Sequence, residues 1–98
     1  MKIVETPKRP LMLPEDSLVG FHVATVQDPA THARYAFVEQ WQAPWNVPSP
    51  TMLRWGVYDV TESGDIDLSK LSEKLNEVEE VIQKAGLKRS FPTFQTRV

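Results

Sequence analysis

Apolar and polar residues alternate with period two over three stretches of this chain, then recur at steps of three and four near its end. Over 17–27, Val19, Phe21 and Val23 share one face while His22 and Ala24 take the other, which predicts a strand. Over 33–41, Tyr35, Phe37 and Trp41 fall on one face and Ala36 and Val38 opposite, a second strand. Between them, Asp28-Pro29-Ala30-Thr31-His32 has turn chemistry, with Pro29 suited to the second turn position. The two strands and this turn make a hairpin. Residues 51–60 read as a third strand, with Leu53, Trp55 and Val57 on one face and Met52, Tyr58 and Val60 on the other. A short helix capped by Ser49, with Pro50 at its first position, competes for the same residues. Trp, Val and Tyr around Gly56 favour the strand.

The helical pattern spans about Leu68 to Ala85. Leu68, Leu71, Leu75, Val78 and Ile82 form one apolar stripe, and Leu75 is expected to be buried. Asp67 is the expected N-cap, with Ile66 and Leu71 spaced as a hydrophobic staple around it. Gly86 suits the left-handed position after the helix, and Leu87 is placed to touch Ile82.

The flanks read differently. Pro7, Pro10 and Pro14 make residues 1–16 an extended arm rather than an element, although it carries Leu11, Met12 and Leu13. Residues 88–98 read as an extended basic and aromatic tail, whose Phe91, Phe94 and Val98 are suited to docking or to a short edge strand. The expected fold is thus a single α+β domain over 17–87. It has a small antiparallel three-stranded sheet in β-β-β-α order, with one C-terminal amphipathic helix on one face and extended arms at both ends. One helix covers one face. The other face would then leave His22, Ala24, Ala36, Val38 and either Tyr58 or Trp55 in water.

Composition narrows the chemistry. The chain has 98 residues, 41% of them hydrophobic and 24% charged, enough for one modest core. It has no cysteine, which excludes a disulfide framework, a thiolate metal site and a cysteine nucleophile. No apolar run reaches the roughly 18 residues of a membrane span, and none of signal-peptide length follows Met1-Lys2. The cytoplasm is the expected compartment. The net charge of −2 divides into +2 over the first ten residues, +4 over the last fifteen and −8 between, concentrated from Asp59 to Glu80.

Catalytic motifs are sparse. His22 and His32 lie ten residues apart, and there is no nucleophile elbow or phosphate-binding glycine loop. His22 across the hairpin from Glu39 or Gln40 is the nearest approach to a general base, with an ordinary hydrogen-bonded strand histidine as the simpler reading. Asp59-x-Thr61-x-Ser63-Gly64-x-Ile66-Asp67 follows the opening of an EF-hand calcium loop. Lys70 then stands at the twelfth position, where a bidentate glutamate should close the shell. No metal or cofactor is expected.

Aromatic residues carry the functional expectation. Trp41, Trp45 and Trp55 with Tyr35 and Tyr58 fall within 24 residues, around a loop with prolines at 44, 48 and 50. Trp41 and Trp55 suit the core beneath the helix, whereas Trp45 between Pro44 and Pro48 suits the surface. The expected partner surface comprises Trp45, Arg54, Tyr58, His22 and Trp41, with Arg54 and Arg34 able to stack on rings or meet an anion. These residues point to a small non-enzymatic module that binds another protein or itself. Self-association would use the sheet or the Leu71–Ile82 stripe. The alternative is nucleic-acid binding through the basic termini and sheet aromatics, against which stand the acidic helix and a pI near 5.6. A third reading is a small enzyme or ligand pocket near His22 and Arg54.

Overall fold

The computed structural model describes residues 1–43, 45 and 47–87. Its elements are β1 (Lys2–Glu5), β2 (Arg9–Met12), β3 (Leu18–Gln27), β4 (Arg34–Gln42), β5 (Met52–Val60) and α1 (Leu75–Lys84). The β3–β4 hairpin turns at 28–33, where Asp28 accepts the amide of Ala30 on its side chain and that of His32 on its carbonyl. The fold is α+β with an antiparallel sheet and one C-terminal helix, as the pattern predicts, but the sheet has five strands rather than three.

The additional strands come from the arm. β1 and β2 pair with successive halves of the same β3 edge, Ile3 opposite Val26 and Leu11 opposite Gly20. Without them β3 would present a row of unpaired N–H and C=O groups. Proline is compatible with an edge strand, so Pro10 does not prevent pairing. Two stretches of the arm, Lys2–Glu5 and Arg9–Met12, are therefore part of the sheet. The expected tail lies outside the described residues.

The helix is shorter than its apolar periodicity suggests. The segment before it runs along the free edge of β5, where Asp67 N–H bonds the Asp59 carbonyl at 2.9 Å and Ser72 N–H bonds that of Val57 at 2.7 Å. Backbone donors used in this way cannot enter a helical ladder, so tertiary pairing overrides propensity from 67 to 72. Asp67 instead accepts the Ser69 amide at 3.0 Å, and α1 begins after Lys74. The Ser69 hydroxyl, and after it the Ser69 amide, hold the Asp67 carboxyl below its usual range. Leu75 is 37% exposed and Leu71 54%, so both leave the expected core, and the buried residues of α1 are Val78 and Ile82, with Val81 packed beside them. The far end follows expectation. Gly86 has φ of +72°, and the Leu87 and Gly86 amides bond the carbonyls of Ile82 and Gln83 in a Schellman closure.

Two apolar layers sandwich the sheet. On one face α1 sets Val78 and Ile82 against Ala24, Val26, Tyr35, Phe37 and Val57. A bulge at Val23 places Ala24 opposite Phe37 and so moves it to the helix side, contrary to simple alternation. The second face is not left in water. Leu11, Ile66 and Leu68 pack on Ala36, Val38 and Tyr58, and Leu13 lies over Gly20. The arm and the 66–68 segment supply the cover that a single helix cannot.

Candidate functional site

Period-two alternation in β2 divides its side chains. Leu11 turns to the second face, while Pro10 and Met12 stand opposite Phe21 and Val19. Met12 is 89% exposed, and Trp45, on the loop after β4, is 70% exposed. Together with Leu18 and Val19 they line an open groove of about 690 Å³ with Glu15 and Asp16 among its walls. A thioether and an indole held in water beside one groove are the residue types that dominate binding surfaces.

The expected partner residues do not gather there. Trp45 reaches the groove. Trp41 is half-buried and meets Phe21 edge-on, with ring centroids 6.4 Å apart. Trp55 stacks on Phe37 at the same separation and packs against the core, the structural role expected of it. Tyr58 and His22 are each 6% exposed, since the second face is covered, and so neither offers a surface to a partner. Arg54 is exposed, but its Nε donates to Gln40 Oε1 at 2.6 Å and its guanidinium to Glu15 at 3.2 Å. Gln40 in turn donates to Tyr58 Oη. This network explains Gly56, where a Cβ would stand 2.8 Å from Gln40 Nε2 and 3.0 Å from the Tyr58 ring.

His22 stands opposite Val38 rather than Glu39, whose side chain lies on the other face. Its Nε2 lies 2.8 Å from Thr25 Oγ1, and that hydroxyl donates to Glu5 Oε1 at 3.0 Å. A carboxylate only accepts, so the hydroxyl proton points to Glu5 and Nε2 carries its own. The direction is the reverse of a base activating a nucleophile. Burial lowers the His22 pKa from 6.5, helped by Arg9 and opposed by Glu5 and a hydrogen bond with the Ala24 backbone. The native imidazole thus resists a proton that the unfolded chain accepts near 6.5. Stability should fall as pH drops below about 6.5 and level off once the native His22 itself titrates. Thermal melts from pH 7.5 to 5.5 should show this loss, and His22→Gln should flatten it.

Comparison with protein-family models, curated proteins and solved structures gave no match for this chain. The site therefore stands on its own geometry. Among the described residues, no three His, Asp or Glu side chains converge to hold a metal ion. No described helix is long and apolar enough to cross a membrane.

The sequence does not single out Met12, and it offers Glu39 only as a neighbour of His22. An arm without alternation gives no basis for the outward direction of Met12. Glu39 gave a signal, because it interrupts the Tyr35, Phe37, Trp41 face with a charge at an inward position.

Proposed function

We propose that this chain is a non-enzymatic binding module that engages another protein through the groove between Met12 and Trp45. The observation that carries the reading is that these two large apolar side chains are exposed on one groove beside an edge strand. The core is complete without them, so neither exposure is required by packing. Glu15 and Asp16 in the same groove oppose phosphate, which favours a protein over nucleic acid. Self-association through the same groove belongs to this reading, and the cytoplasm is the compartment it assumes.

Trp45→Ala and Met12→Ala test it. Each should change stability by no more than about 1 kcal/mol, as exposed substitutions do. Trp45→Ala should weaken partner binding by about 2 kcal/mol or more. Capture from the source cell with wild-type and variant chains in parallel, followed by size-exclusion with light scattering, reads both the partner and self-association. Equal recovery and equal mass for both chains would refute the groove, and a large loss of stability would make Trp45 structural.

A further inference from the structure

A second feature lies apart from that groove, on the helix side of the sheet. Glu39 stands between two rings across the strands, Phe21 on β3 and Trp55 on β5. Its same-face neighbours along β4 are Phe37 and Trp41. Aromatic residues therefore occupy all four neighbouring positions on this face, and Glu39 is only 6% exposed. Trp41 Nε1 donates to its Oε1 at 3.0 Å. The ion pairs among the described residues join Arg54 to Glu15, Lys74 to Glu77 and Lys84 to Glu80, and none uses Glu39.

Burying a carboxylate is costly unless a cation or several donors answer it, and one indole N–H leaves most of its acceptor capacity unused. Glu39 and Phe21 line a half-open cavity of about 230 Å³ together with Lys8, Val23, Leu87 and Gly86. That volume is below the range of pockets for whole drug-sized ligands and suits a head group. Aromatic faces attract cations, and a desolvated cation gains most beside a buried negative charge.

We propose that the Glu39 pocket is a receptor for an organic cation, an alkylammonium or guanidinium head group. The carboxylate supplies the counter-charge, and Phe21, Val23 and Leu87 supply the apolar part of the wall, against which a hydrated metal ion or sodium gains little. The head group can come from a free amine or from the end of a partner's lysine or arginine. The inference does not depend on the Met12–Trp45 groove.

The test titrates the full chain with tetramethylammonium chloride and, separately, with a blocked Gly-Arg-Gly tripeptide, against sodium chloride at equal ionic strength. Tryptophan fluorescence and the indole N–H resonances of Trp41 and Trp55 report occupancy. Saturable shifts beyond the sodium control are expected. Glu39→Gln retains an acceptor for Trp41 and should keep its melting temperature within a few degrees while binding about tenfold or more weaker. Trp45→Ala should bind the cation as wild type does, even where it loses a protein partner. A tripeptide that binds about tenfold tighter than tetramethylammonium identifies a partner's side chain as the source, and the opposite order identifies a free amine. Three outcomes overturn the proposal. They are no shift beyond sodium, unchanged binding by a folded Glu39→Gln, and binding seen only in Lys8→Met, which would mean the pocket seats the chain's own lysine.

Discussion

Phe37→Ala is expected to lower the unfolding free energy by about 3–5 kcal/mol, the usual cost of removing a buried aromatic side chain. Phe37 is fully buried at the centre of β4, stacked on Trp55 and packed with Val57, Val78 and Ile82. The surrounding strands are paired on both sides, so the space it vacates cannot readily collapse. A domain of this size has about 5–15 kcal/mol in total, and the variant should lose a large fraction of it. Urea unfolding monitored by tryptophan fluorescence measures the change. A loss under about 1 kcal/mol would mean that the helix does not press on this ring.

The second large effect separates two residues of one helix. Ile82→Ala should cost about 2–5 kcal/mol, because Ile82 is fully buried against the sheet. Leu75→Ala, two turns earlier on the apolar stripe, should cost about 1 kcal/mol or less, because Leu75 is 37% exposed. The sequence pattern alone would assign both the same penalty. Paired denaturation curves decide between the two. Equal, large losses would restore the long helix expected from 68 to 85, and equal, small losses would detach α1 from the core.

The three long strands were legible because side chains of a strand alternate between its two faces, so Tyr35 and Phe37 meet the helix while Ala36 and Val38 meet the second cover. The helix terminus was legible because Gly86 and Leu87 fit one specific closure of the backbone. The helix start was not. Leu68 and Leu71 have helical spacing, but the amides of Asp67 and Ser72 are claimed by β5 carbonyls, and such long-range pairing leaves no mark in a local window. The pairing of the arm is hidden for a related reason. Its prolines indicate extended backbone equally well for a loose segment and for an edge strand, and only β3's unfilled edge distinguishes them. Of the candidate surface, Trp45 was legible from the prolines flanking it. The burial of His22 and Tyr58 has no local mark, because it depends on Leu11, Leu13, Ile66 and Leu68 forming a second lid from distant parts of the chain.

The edge of β5 has one more consequence. Growth of a filament from folded molecules needs two open sides on each copy, one to receive and one to offer. Here one side is taken from Val57 to Val60 by the chain's own Asp67 and Ser72 amides and by the bridge from Ile66 to Val60. The side formed by β1 and β2 remains, and Pro10 has no N–H to contribute there. A filament grown edge to edge through that stretch of β5 would have to displace these bonds, so part of the sheet would have to come apart first.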